Sequence, residues 1–266
     1  MENSIHMRQL FHWIGTHIKE PADGDVGARR YLQALKESVE SGLWFSTSHQ
    51  ESATICNLPN RKTMPMICFT DNKISECGYH ASKYGKLALG FPKKFVIKHA
   101  GIPVNYVDNK FKGNHYLEAI AAIDNFLQNQ NDSEIAKHWQ LITNYIKPLS
   151  DAPSKPITPR ASEIGKSSGI QRMRLAHRNF GGKQLKYYVE NEWRIVLCDK
   201  LRKNKDVYLA VDKYKLKYTL EEDLFTLILP SRRVYEMMRC EETALYERIR
   251  QSSNLNTFVI DEISQL

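Results

Sequence analysis

No stretch of this chain is apolar over the roughly 20 residues that a bilayer crossing requires. The opening residues MENSIHMRQLFHW also lack the basic-then-apolar pattern of a secretory leader. The expectation is a cytoplasmic protein with no membrane segment. Cysteine is sparse: Cys56, Cys68, Cys77, Cys198 and Cys240 are odd in number and contain no C-x-x-C pair, so neither a disulfide framework nor a structural zinc site follows. The nine histidines are scattered without H-E-x-x-H or another ligand spacing, and no metal is expected. Also missing are G-x-x-x-x-G-K-[ST], G-x-G-x-x-G and G-x-S-x-G, which leaves P-loop hydrolysis, a Rossmann dinucleotide site and an α/β-hydrolase triad without support. The absence of carboxylates grouped to hold Mg²⁺ disfavours a nuclease or similar hydrolase. No internal repeat is present.

What remains is 266 residues, 42% hydrophobic and 26% charged, enough for one large domain with a sizeable core. The net charge of +8 favours a polyanionic partner: nucleic acid, a phosphate-bearing cofactor or an acidic protein. The charge concentrates in residues 164–189, where Lys166, Arg172, Arg174, Arg178, Lys183 and Lys186 occur with no acid. This strip is either a solvated face or a contact for phosphate and nucleic acid.

The stretch 64–91 organises the chain. Met64 to Phe69 reads as a buried strand ending at Thr70-Asp71-Asn72, and Leu87 to Phe91 as a second strand. Between them a short helix would carry His80 and Tyr84, four residues apart, on one face. Upstream, residues 8–15 predict a first strand with His12 in its middle. Asp25 is a candidate cap for a helix bearing Tyr31, Leu32, Leu35 and Val39 and stopped by Gly42, and Leu43 to Ser46 reads as a strand. Downstream, helical spacing over 116–147 predicts two helices broken at QNQNDS, an insertion followed by a proline-rich loop over 148–169. Residues 187–199 alternate, with Tyr187, Val189, Trp193, Ile195 and Leu197 on one face and Glu190, Glu192 and Arg194 on the other. Those charges are solvated or line a cleft. A strand over 206–211, another over 225–229, one helix from about Ser231 to Gln251 and a last strand near 257–260 complete the pattern. The fold class is α+β: a single domain with a split, mostly antiparallel sheet and flanking helices.

The runs FHWIG, SGLWFS, PMICFTD, YGKLALGF and ENEWR resemble the AbiGi family of bacterial abortive-infection proteins, labelled antitoxins of phage-resistance loci. The resemblance implies a role in phage defence, a cognate toxin or antitoxin encoded nearby and a phage-derived trigger. A second resemblance, of element order, is to ADP-ribosyltransferase folds such as the DNA-modifying toxin DarT. It matches His12, Gly42-Leu43, the His80/Tyr84 pair and Glu192, with Glu190 as the alternative acid, and implies NAD as cofactor and nucleic acid or protein as the modified target. In that reading Glu192, His12 and His80 are catalytic. Glu192 would stabilise positive charge developing on the ribose, and Tyr84, Thr70 and Arg194 would hold the cofactor. Each residue also has a structural reading: His12 as a satisfied strand histidine, Glu192 and Arg194 as an ion pair, Trp193 as core and Asp71 as the cap of the following helix. The alternative function is a non-catalytic antitoxin that binds a toxin or nucleic acid through the basic strip.

Overall fold

The computed structural model describes residues 9–47, 63–74, 77–107, 115–128, 133–148 and 191–263. The basic strip, Glu190 and most of the proline-rich loop lie outside them.

Strand β1 (Gln9–Ile14) leads into helix α1 (Asp25–Ser41), which packs Tyr31, Leu32, Leu35 and Val39 inward, as the 3.6-residue spacing predicts. Gly24, not Asp25, occupies the cap position. Asp25 instead pairs with Arg233 at 2.8 Å. At the other end Gly42 has φ of 85°, and a Cβ there would run into the Leu216 carbonyl, so the stop requires glycine.

Strand β2 (Leu43–Trp44) follows, then β3 (Met66–Thr70), helix α2 (Cys77–Tyr84), β4 (Leu87–Pro92), helix α3 (Lys93–Lys98), β5 (Ile102–Pro103) and β6 (Asn105–Val107). Helices α4 (His115–Gln128) and α5 (Ser133–Thr143) form the anticipated pair, and β7 (Ile146–Pro148) pairs parallel with β6. The second helix thus ends before Tyr145 and Ile146, which sequence spacing assigned to it. Strands β8 (Glu192–Val196), β9 (Val207–Ala210), β10 (Lys213–Leu216) and β11 (Thr226–Leu229) precede α6 (Arg232–Glu241), α7 (Thr243–Gln251) and β12 (Asn256–Val259). The single helix expected over 231–251 is two, broken at Glu242 (φ −120°, ψ 55°), with Val234, Met237, Met238, Leu245 and Ile249 all reaching one core.

Among the described residues, seven strands form the main sheet in the order β12-β11-β4-β1-β3-β8-β5, antiparallel except for β11 with β12. A smaller antiparallel sheet has the order β2-β10-β9. This is a mixed α and β fold built on a mostly antiparallel sheet. One face of the main sheet carries Leu10, Ile67, Phe69, Leu89, Ile195, Leu227 and Leu229 against α1, α3, α6 and α7. The opposite face is covered in patches, by Phe11, Ala88 and Ile228 under α2 and the C-terminal turn, and by Met66 and Val196 under Tyr145. Strand β4 is buried along its whole length, as its near-continuous apolar run LALGF requires.

Candidate functional site

Cross-strand register decides which candidate residues meet. Phe11 of β1 lies opposite Thr70 of β3, and Thr70 lies opposite Glu192 of β8. Paired residues share a sheet face and neighbours along a strand alternate. Glu192, Arg194 and Thr70 therefore lie on the face that carries Phe11 and Trp13. His12 alternates onto the other face, where its ring packs against Phe69 at 5.7 Å and its Nδ1 donates to the Cys68 carbonyl at 2.9 Å. Burial lowers the His12 pKa against the opposing effect of that hydrogen bond, so the ring is neutral near pH 7. The structure thus brings Thr70, His80, Tyr84, Glu192 and Arg194 to one face and puts His12 on the other.

Glu192 is 5% exposed, Arg194 0% and Lys147 2%. The Glu192 Oε1 accepts from Arg194 Nε at 2.7 Å, and Oε2 accepts from Lys147 Nζ at 2.7 Å and Arg194 Nη2 at 3.2 Å. Arg194 Nη1 donates to the Asn144 carbonyl at 2.6 Å, while the Asn144 side-chain oxygen accepts from the Met64 amide at 3.0 Å. Tyr106 OH accepts the Glu192 amide at 3.0 Å. Burial pushes the Glu192 carboxyl up, but the Arg194 and Lys147 charges and their hydrogen bonds outweigh it and hold the group well below the usual carboxylate range. The three charges the sequence pattern left as solvated or cleft-lining include two, Glu192 and Arg194, that are buried in an ion network joining β8 to the α5–β7 junction. Lys147 was missed; its only signal was a lysine set between Ile146 and Pro148 in an otherwise apolar run.

Beside this network, His80 of α2 is fully buried and stacks between Trp13 (6.1 Å, 21°) and Tyr84 (6.1 Å, 12°), with the Asn72 side-chain amide on its Nε2. Burial first, and then the Lys83 charge, lower its pKa to about 4, while Glu192 acts in the opposite direction. Trp13 Nε1 donates to Thr70 Oγ1 at 3.1 Å, and Asn191, at φ of 42°, donates to Asn72 at 3.0 Å. Tyr84 is half-buried and ends α2, where Gly85 (φ 103°) brings the chain against the backbone of Ile14 and Gly15. A Cβ at Gly85 would meet the Ile14 carbonyl, which explains glycine in YGKLALGF. Asp71 does not cap α2. It pairs with Lys93 at 2.7 Å, and the Lys93 ammonium lies 4.7 Å from the centre of the Trp193 ring.

Chemically the face offers a stacked aromatic and imidazole group with the Lys83 ammonium over the Tyr84 ring, next to a carboxylate committed to two cations. Among the described residues no group of three or more His, Cys, Asp or Glu side chains is placed to hold a metal ion, and no helix is long and apolar enough to cross a membrane.

No curated protein sequence and no solved structure matches the chain. A family model does match, over residues 43–158, and its description is "Putative abortive phage resistance protein AbiGi, antitoxin". The matched stretch runs from β2 to β7 and contains Thr70, His80, Tyr84 and Lys147, whereas His12, Glu192 and Arg194 lie outside it. The similarity to the AbiGi family of abortive phage-resistance proteins thus covers residues 43–158, just under half of the chain.

Proposed function

We propose that the chain works in phage defence as a non-catalytic antitoxin that acts by binding a cognate toxin protein. The observation that carries this reading is the state of Glu192. Transfer of ADP-ribose from NAD, with nicotinamide as the leaving group, needs a carboxylate facing the ribose as positive charge develops there. Here both oxygens of Glu192 are engaged by Lys147 and Arg194, and the group is almost wholly buried. His12, the other anchor of a transferase site, lies across the sheet from it. The family description, antitoxin, agrees with a binding role. The strip from Lys166 to Lys186 supplies a cationic contact for an acidic toxin surface, or for nucleic acid held by the pair.

The test is expression in a bacterial host, alone and together with the toxin encoded beside it. The antitoxin reading expects normal growth with the chain alone and restored growth when it accompanies the toxin. Growth arrest by the chain alone, relieved by Glu192→Gln in a protein that remains folded, would favour the rival NAD-dependent transferase reading. Calorimetry with NAD adds an independent readout: saturable binding lost in Tyr84→Ala would move His80, Tyr84 and Thr70 back to a cofactor role.

A further inference from the structure

Helices α4 and α5 carry more apolar surface than they bury. On α4, Ile120 packs inward with Leu117 and Leu127, while Trp139 of α5 donates its indole N–H to the buried Asp124 at 2.7 Å. A second stripe, Tyr116, Ala119, Ile123 and Phe126, faces solvent on the same helix. Its spacing of three, four and three residues is that of a coiled-coil seam. On α5, Ile135 and Ile142 are exposed in the same way, one heptad apart. The five large side chains expose between 45% and 62% of their surface.

The two stripes form one surface. Four residues connect the helices, and the Asp124–Trp139 bond sets them antiparallel. At 3.6 residues per turn, each exposed stripe is displaced from its inward residue, Asp124 or Trp139, in the same rotational sense. Because the helices run in opposite directions, equal senses turn both stripes to the same side of the hairpin.

We propose that this face pairs with the same face of a second copy of the chain, giving a two-fold dimer in which two helical hairpins make a four-helix bundle. This goes beyond the antitoxin reading and does not depend on it. Three observations select a second copy. The α4 stripe is self-complementary when reversed: with a dyad near Ala121, Tyr116 lies opposite the second copy's Phe126, and Ala119 lies opposite its Ile123, so a small residue meets a larger one at the centre. The charge permits self-association: the stripe residues Tyr116, Ala119, Ile123, Phe126, Ile135 and Ile142 are all uncharged, and among Asp, Glu, Lys and Arg the two helices hold only Glu118, Asp124, Glu134 and Lys137, in a chain of net charge +8. Glu134 is paired with Lys137 at 2.7 Å, and the Asp124 carboxylate is buried against the Trp139 indole N–H. The area meets the lower bound: at about 200 Å² for a large side chain, the five expose roughly 500 Å² per copy, and burying all of it in two copies reaches the roughly 1,000 Å² that a specific interface has to clear.

The experiment is sedimentation of the full chain over a wide concentration range, with Ile123→Glu and Phe126→Glu alongside. Both positions are exposed, so circular dichroism and the melting temperature are expected to match those of the wild type. The wild type is expected at twice 30.8 kDa. Each substitution appears twice across the dyad and should raise the dimer dissociation constant about thirtyfold or more. Three results would overturn the proposal: a wild type that stays at 30.8 kDa at every concentration, a dimer indifferent to both substitutions, or a monomer that captures a co-expressed partner and releases it on Phe126→Glu.

Discussion

Replacing Glu192 by Gln would test the buried network most directly. The substitution keeps the shape of the side chain but leaves Lys147 and Arg194, at 2% and 0% exposure, facing an amide in place of a carboxylate. Removing one partner from a buried ion pair costs about 3–5 kcal/mol because the remaining charge has lost its compensation. Against a typical total stability of about 5–15 kcal/mol, that is a large fraction. Urea denaturation at neutral pH should show the loss as a lower midpoint with an unchanged slope. The pH dependence gives a second signature. Glu192 has a folded-state pKa depressed below its ordinary 4.5, so its contribution is fully present above that value and is lost as pH falls toward the folded pKa. Below about pH 4.5, wild-type stability should decline relative to Glu192→Gln by about 1.4 kcal/mol per pH unit. A neutral-pH loss under about 1 kcal/mol, in the range of exposed pairs, or a constant difference between the two proteins in acid, would refute the network as drawn. The outcome also governs functional tests: a defect in Glu192→Gln reports on chemistry only if the protein is still folded.

Other perturbations separate the remaining elements. NMR titration of the imidazoles should give His80 a midpoint near 4, and a midpoint at or above 6 would contradict its burial between Trp13 and Tyr84. Because its pKa is depressed from 6.5, His80 opposes unfolding fully above that value and loses its contribution as pH falls toward 4, a slope His80→Phe should remove. Gly85→Ala should cost about 2 kcal/mol or more from its positive φ and the Ile14 carbonyl. Gly78→Ala, with open space at its Cβ within α2, should stabilise by about 0.5–1 kcal/mol; thermal melts that rank the two the other way would be inconsistent with this backbone. Ser231 caps α6 through the Val234 amide and donates to the Ala22 carbonyl at 2.6 Å, so Ser231→Ala should lower stability by about 1–2 kcal/mol in chemical denaturation.

Local pattern was sufficient for much of the architecture. Helix α1 follows from the spacing of Tyr31, Leu32, Leu35 and Val39 and the stop at Gly42, β4 from an apolar run too short for a helix, and β8 from the alternation through Trp193 and Ile195. The α4–α5 pair follows from two helical periods broken by a polar run. In each case the decisive forces act between residues close in the chain. The break at Glu242 escaped because no proline or glycine marks it; the bend comes from two helices reaching the same core and from the ion pair between Glu242 and Lys36 of α1.

The chemistry of the site was decided farther away. Sequence alternation placed Glu192 and Arg194 on one face of a strand, but it could not say what covers that face. Lys147 precedes Glu192 by 45 positions and meets it because β7 joins β6, which follows the β5 strand paired with β8. The parity of β1 likewise puts His12 on the opposite face from Phe11, yet only the register Phe11–Thr70–Glu192 shows that the opposite face is also the one away from Glu192. By itself the sequence determined most of the elements, their order and the similarity of residues 43–158 to the AbiGi family, because those depend on local periodicity and motif. Tertiary structure decided which charges are buried and which residues meet, because desolvation and strand register are properties of the assembled sheet.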